Sequence, residues 1–274
     1  MSKEAFFISL FSSRAIGDDG AIWAKEVYSK DLFCEDIHFR REWMSLEQIA
    51  KKSMLVNISD AIAMNAKPKA AMIGIVIPKH FGYRELEALA KGFEEAAKAY
   101  GVEIIGGDTT AGKALMISVS IVSTLGKKPL LRKNARVGDL VAYTGKLGDS
   151  YAQLTRLLRG GTLGTHKRFI TPSLRAAFVE KAAKYLNAGM DISDGLSKDL
   201  SRLLKASGAL GLHVTKRLPK RVLCSGEEYE MLVTFDPRRR RIIERIAQKT
   251  RTPITILGKV TRGRYACRCK EHHF

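Results

Sequence analysis

The chain has 274 residues, with 47 Lys and Arg against 28 Asp and Glu, a formal charge of +19 and an apolar fraction of 45%. Such a composition excludes a disordered polymer and is enough to bury a substantial core, and no apolar run reaches the roughly 18 residues of a membrane span. Basic residues recur along the whole chain, and the aromatics, 8% of it, are not interleaved with them, so phosphorylated small molecules are expected as partners, with no nucleic acid and no membrane.

The amino-terminal "MSKEAFFISLFSSRA" imitates a secretory signal, but Glu4 and a short apolar patch argue against cleavage, and a cytoplasmic protein is expected. "AIWAKEVYSKD" is strand-like. "SLEQIAKKSMLVNISDAIAMNA" opens on a capping signal, Ser45 followed by Gln48, and its apolar residues recur at helical spacing. "KAAMIGIVIP" is expected as a buried strand ended by Pro78, and "YRELEALAKGFEEAAKAYG" as a second helix stopped by Gly101. The strands "VEIIGGD" and "ALMISVSIVSTLG" follow.

A basic, turn-rich stretch, "KKPLLRKNARVGD", separates this half from a second α/β pattern. There "LVAYTG" reads as a strand, "SYAQLTRLLRG" and "TPSLRAAFVEKAAKYLN" as helices, "GMDIS" as a strand and "GLSKDLSRLLKASG" as a helix. "YEMLVTF" and "TPITILGKV" are strands on either side of an Arg-rich amphipathic helix. The expected organisation is two α/β domains, 1–125 and 139–274, joined by a linker over 126–138. Cys34, Cys224, Cys267 and Cys269 are few and scattered, which fits reduced thiols. The tail "CRCKEHHF" groups Cys267, Cys269, His272 and His273 without the usual zinc spacing, and a strand end followed by a polar terminus is preferred there.

The chemistry is carried by acids. Asp18 and Asp19 lie side by side in the glycine turn "IGDDGAIW", Asp31 ends a strand-like run, and Asp60 sits among Val56, Ile58 and Ile62. Asp108 ends "IIGGD", and Asp191 and Asp194 bracket the turn of "MDISDGL". Any one of these could be a helix cap or turn former. Their recurrence at strand ends and in glycine turns is better explained by a shared cation, because isolated buried carboxylates are costly. Oxygen ligands without a His or Cys cluster point to Mg²⁺, which commonly holds nucleotide phosphates. "GDTTAGKA" is not the phosphate-binding loop it imitates. Ala114 stands where a hydroxyl is required, and a strand-like run follows where a helix is required.

The ordered set "IGDDGA", "LVNISDAIAMNAKP", "IIGGDTT", "VGDLVAYTGKLGDS", "MDISDGLSKDL" and "SGEEYEML" resembles the thiamine-monophosphate kinase family, within the superfamily of aminoimidazole ribonucleotide synthetase. The resemblance implies a two-domain, two-layer α/β fold whose amino-terminal domain forms a β-barrel in a homodimer. It implies ATP and several Mg²⁺ ions in the cleft between domains, with direct phosphoryl transfer to thiamine monophosphate and no catalytic side chain. Matched motif by motif, Asp19, Ser29, Asp31, Asp60, Asp108, Asp191 and Asp194 resemble the metal ligands, and Gly107, Asp108, Arg132 and Ser193 the nucleotide contacts. His38, Glu227 and Phe274 resemble the acceptor contacts. Aminoimidazole ribonucleotide synthetase, selenophosphate synthetase and the hydrogenase-maturation dehydratase are the alternatives within the superfamily. The chain departs from the family pattern at Lys30, where a hydroxyl residue is usual, and at Ser225 and Glu228, where Gly and Asp are usual.

Overall fold

In the computed structural model, which describes residues 3–208 and 210–269, the chain builds two five-stranded sheets after a short helix α1 (Lys3–Ser9). The first sheet has the order β1-β2-β5-β3-β4, from β1 (Ala21–Trp23), β2 (Glu26–Cys34), β3 (Ala66–Pro78), β4 (Glu103–Gly112) and β5 (Met116–Leu125). It is open in a single protomer. Only β3 and β4 run parallel, and the crossover between them is α3 (Tyr83–Tyr100). The helix α2 (Leu46–Ala63) lies across β2, β5 and β3. The expected capping box is present: the Ser45 hydroxyl accepts from the Gln48 N–H, and the Gln48 side chain accepts from the Ser45 N–H.

Period-two alternation sets what each strand presents to α2. In β5, Ile117, Val119 and Ile121 are buried against it, while Ser118 and Ser120 alternate to the other face. In β2 the inward set is Val27, Ser29, Asp31 and Phe33, and the outward set is Tyr28, Lys30 and Leu32. β3 was expected as a buried strand. Only one of its faces is covered, by α2, and Met72 on the other is 44% exposed.

The second sheet is antiparallel throughout, in the order β7-β9-β6-β10-β8. It is built from β6 (Leu140–Thr144), β7 (Ala188–Asp191), β8 (Gly211–Val214), β9 (Met231–Phe235) and β10 (Ile254–Thr261). Its helices are α4 (Asp149–Leu158), α5 (Ala176–Ala182), α6 (Leu196–Ala206), a single turn α7 (Lys220–Leu223) and the Arg-rich α8 (Arg240–Lys249). The helix expected over residues 171–187 is reduced to α5 and a 3-10 turn, because Arg175 leaves helical geometry and turns its guanidinium to Glu230. The sequence pattern did not indicate β8 or α7, each too short to show a period. Among the described residues no helix is long and apolar enough to cross a membrane.

The cysteine expectation needs correction. Cys224 and Cys269 form a disulfide across 45 residues, leaving Cys34 and Cys267 free, so the four thiols are not all reduced and Cys269 is not a metal ligand. The residues of the tail that would bring in His272 and His273, and Phe274 with them, lie outside the described residues. A thiol titration of unreduced, denatured protein is therefore expected to count two reactive cysteines per chain; four would show the bond to be absent.

The two helices of the first half cross at a glycine. A Cβ on Gly92 of α3 would lie 2.1 Å from the Glu47 carbonyl oxygen and 2.9 Å from the Ala50 Cβ. Alanine ordinarily gains about 1 kcal/mol over glycine in a helix, but forcing α2 and α3 apart costs about 1–3 kcal/mol. Gly92→Ala is expected to lower the urea midpoint at unchanged m-value. A higher midpoint would mean the crossing is loose.

Candidate active site

Three elements of the first half and one strand of the second bring carboxylates to a single point. The glycine turn before β1 supplies Asp19, the inward face of β2 supplies Asp31, the last turn of α2 supplies Asp60, and the end of β7 supplies Asp191. Carboxylate oxygens of Asp19, Asp60 and Asp191 lie within 4.8 Å of one another, and the Asp31 carboxyl is hydrogen-bonded to Asp60. The adjacent acids of the opening motif divide their work. Asp18 accepts the Arg132 main-chain N–H at 2.7 Å, while Asp19 turns inward to the Arg132 guanidinium. Around them, Ser59 donates to Asp191 at 2.6 Å, and Ser29 donates to the Asn57 side chain at 2.5 Å. Asn57 is fixed in turn by donating to the Val119 carbonyl.

The electrostatics are unfavourable as they stand. Burial, reinforced by Asp31, Asp191 and Asp19, holds the Asp60 carboxyl well above the usual carboxylate range. Asp191 is raised likewise, by burial and then by Asp19, and Asp31 is pushed up to about 6 by burial and then by Asp19. For Asp19, burial outweighs the attraction of Arg132. One oxygen of Asp19, Oδ2, is buried without a hydrogen-bond partner. Four carboxyls against one guanidinium leave an unbalanced negative centre, and an all-oxygen donor set with an orphaned oxygen fits a hard divalent cation such as Mg²⁺.

Other sequence-predicted residues are placed differently. Asp194 meets Arg202 at 2.5 Å and Lys198 at 3.4 Å, and is not in the converging group. Arg202 also contacts Asp199, which is fully buried and pushed up to about 7 by burial and Asp194. Asp108 sits on the exposed edge strand β4, in register with Gly74 and Ser118 on the outward face, where its carboxylate accepts the Thr109 N–H. Gly107 beside it leaves the backbone room to pass β3 closely: a Cβ there would lie 1.8 Å from the Ile73 carbonyl oxygen. Lys30 also points outward, to Ser118 at 2.5 Å and Ser120 at 3.3 Å, so its ammonium is no stand-in for a cation among the acids. The Ser193 carbonyl accepts the Glu227 N–H at 2.7 Å.

His38 and Glu227 belong to one cluster through residues that the motifs did not single out. The Lys52 ammonium, fully buried on α2, pairs with Glu227 at 3.2 Å and rests 3.8 Å from the ring centre of Phe169. The Phe33 ring centre lies 5.6 Å from it and the ring stacks with His38 at 5.5 Å, and His38 Nδ1 accepts the Cys34 N–H. Next to Glu227, Glu228 accepts from Ser225 and from the Gly148 and Ser150 N–H groups that open α4. Glu230 is held by Arg168, Arg175 and Thr144. Lys52 was detectable in principle as a charge inside the apolar period of "IAKKSMLVNISD"; the arginines carry no local signal.

Residues 17–125 match the family described as AIR synthase related protein, N-terminal domain. The chain is 31% identical to a thiamine-monophosphate kinase of Bacillus subtilis over 280 residues, covering 89% of this chain and 84% of that protein. It is 30% identical to one of Pyrococcus horikoshii over 250 residues, covering 84% and 80%. Among solved structures it resembles AaThiL complexed with AMPPCP and TMP, with a TM-score of 0.83 at 27% identity over 96% of this chain and 90% of that chain. The hydrogenase maturation protein HypE is similar at 17% identity, with a TM-score of 0.72 over 96% of this chain and 89% of that one, a likeness of fold alone.

A cation at the carboxylates has a thermal signature. Mg²⁺ at a hundred times its Kd stabilises a chelator-treated protein by about 2.7 kcal/mol, or roughly 5–10 °C in Tm for a chain of this size. Asp60→Asn is expected to remove most of that rise, and to raise the Tm of the chelated protein by relieving the repulsion. A Mg²⁺ shift that survives in Asp60→Asn would take this carboxylate out of the site.

Proposed function

The chain belongs to the thiamine-monophosphate kinase family, and from that premise we propose that it transfers the γ-phosphoryl group of ATP to thiamine monophosphate, giving thiamine diphosphate. The observation that carries the reading furthest is the convergence of Asp19, Asp60 and Asp191 from both halves of the chain, with one buried oxygen lacking a partner. Residues up to 125 and from 139 onward are proposed to act as two domains that meet there.

Asp19, Asp31, Asp60 and Asp191 would hold Mg²⁺, with Ser29 nearby. When bound, the ions supply the charge neutralisation that lets two polyanions approach. Arg132 keeps its charge, because Asp19, Asp191 and Asp199 together outweigh its burial, and it offers a fixed guanidinium to nucleotide phosphate at the mouth of the cluster. Gly107, Asp108 and Ser193 are proposed to complete the nucleotide contacts. The acceptor is a phosphate monoester with a second pKa of about 6, already largely ionised at neutral pH. It requires no general base, in keeping with a site that positions acids and an arginine rather than a Ser-His or Cys-His pair. Glu227, 23% exposed, and His38 are proposed to receive the cationic heteroaromatic end of the acceptor, as is Phe274.

A homodimer is part of the same proposal. The outward face of the first sheet exposes Tyr28, Leu32, Met72 and Met116, an apolar surface of the kind a second copy covers. The hydrogenase maturation protein shares the fold, but the curated relatives described above, at 30% and 31% identity, are thiamine-monophosphate kinases.

Incubation with γ-labelled ATP, Mg²⁺ and thiamine monophosphate is expected to place the label in thiamine diphosphate. Asp60→Asn is expected to lose about a hundredfold or more in kcat. Label recovered only as free phosphate, from folded protein, would overturn the reading.

A further inference from the structure

Lys52 is among the largest fully buried side chains of the protein, a lysine without solvent contact in a helix that otherwise buries apolar and small polar groups. Burial pulls its ammonium pKa down, and the attraction of Glu227 opposes that. A buried ammonium persists only where something compensates its lost hydration. Here the compensation is narrow: Glu227 at 3.2 Å, the Phe169 face at 3.8 Å and the Phe33 face at 5.6 Å. Among the described residues Glu227 is its one ion-pair partner.

The arrangement is one-sided. Lys52 is sealed at 0% exposure, whereas the Glu227 side chain keeps 23% of its surface open. Glu227 sits at φ +54°, on a loop of the other half of the chain, with its N–H held by the Ser193 carbonyl. The carboxylate is the water-facing partner of the pair, and the buried ammonium lies behind it. The aromatic wall of that ammonium is shared with His38, through the Phe33 stack.

We propose that Lys52 is a positioning residue that fixes the Glu227 carboxylate as a pre-oriented counter-charge for the cationic thiazolium ring of the phosphate acceptor. This rests on the proposed function and assigns a residue to it. Lys52 itself need not touch the substrate. Its effect is expected on binding of the acceptor and not on the nucleotide, because Asp60, the member of the acidic group on the same helix, lies eight residues and about two turns further along α2, about 12 Å in helical rise.

The test is a double-mutant cycle on the full chain with thiamine monophosphate as acceptor. Lys52→Met is expected to raise the KM for thiamine monophosphate about tenfold or more, the size expected when one partner of a buried charge pair is removed. The KM for ATP should stay within about twofold, and the Mg²⁺-induced rise in Tm should be kept. Glu227→Gln should raise the same KM, and the double variant should be no worse than Glu227→Gln alone, since Lys52 acts through Glu227. If Lys52→Met does not fold, Phe169→Leu withdraws the ring under the ammonium and should show a smaller rise, again cancelled in the Glu227→Gln background. An unchanged acceptor KM, or losses that multiply, would overturn this assignment alone. Absence of any transfer to thiamine monophosphate by the unaltered chain would overturn the proposed function and this assignment with it.

Discussion

The mutual repulsion of four clustered carboxyls is the constraint around which the rest of the molecule is arranged. Asp19, Asp31, Asp60 and Asp191 are held together by covalent connection to four different elements, a turn, a strand, a helix and a strand of the second sheet. No arrangement of nearby hydrogen bonds removes the excess charge: Ser59 serves Asp191, Arg132 serves Asp19, and an oxygen of Asp19 is left over. The fold therefore holds an unfavourable interaction that a bound cation would reverse, and binding free energy at this point would also be free energy for holding the two halves together.

That closure runs through α2. The helix is buried nearly all round because it lies between the first sheet and the second half, and two of its polar residues meet a partner across the divide. Ser59 reaches Asp191 and Lys52 reaches Glu227, seven residues apart on one face. Asn57, on the side of the sheet, braces Ser29 and Val119. One rigid element thus sets the spacing between the acidic centre and the carboxylate offered to the acceptor, which loops of the same length could not hold.

Much of this was legible in the sequence, and the limits have physical reasons. Ser45 and Gln48 announced the start of α2, and the acids declared themselves by sitting in glycine turns and apolar surroundings instead of on polar faces. Strand alternation alone separates Ser29 and Asp31 from Lys30, so the departure at Lys30 was resolvable from period two. Asp194 was not resolvable. Its spacing fits a ligand or a cap equally, and only the fold brings Arg202 and Lys198 against it. Nor does one strand's sequence tell which face of β4 carries Asp108, since that depends on the bulge at Ile105, the residue skipped where Ala71 and Met72 of β3 pair with Ile104 and Gly106. The pairing of Cys224 with Cys269 depends on the tail returning along α6, where the Ser197 hydroxyl meets the Arg268 N–H and the Tyr265 hydroxyl.

The loop "SGEEYE" shows how the second half supports what the first half needs. Glu227 and Tyr229 both adopt left-handed backbone, at φ +54° and +51°, a conformation that costs of order 1–3 kcal/mol for a residue with a side chain. It survives because the alternate glutamates are locked. Glu228 closes the amino terminus of α4, and Glu230 is clamped between Arg168 and Arg175, with Gly145 leaving room that a Cβ, 1.8 Å from its carboxylate, would take away. Buried ion pairs of this kind contribute little net stability. What they provide is a backbone whose direction is over-determined on both sides of one residue, so that Glu227 is turned toward Lys52 while its neighbours face the interior. The same reasoning explains Glu228 where the family usually has Asp. A side chain longer by one methylene still reaches the Gly148 and Ser150 N–H groups, and the loop keeps its anchor.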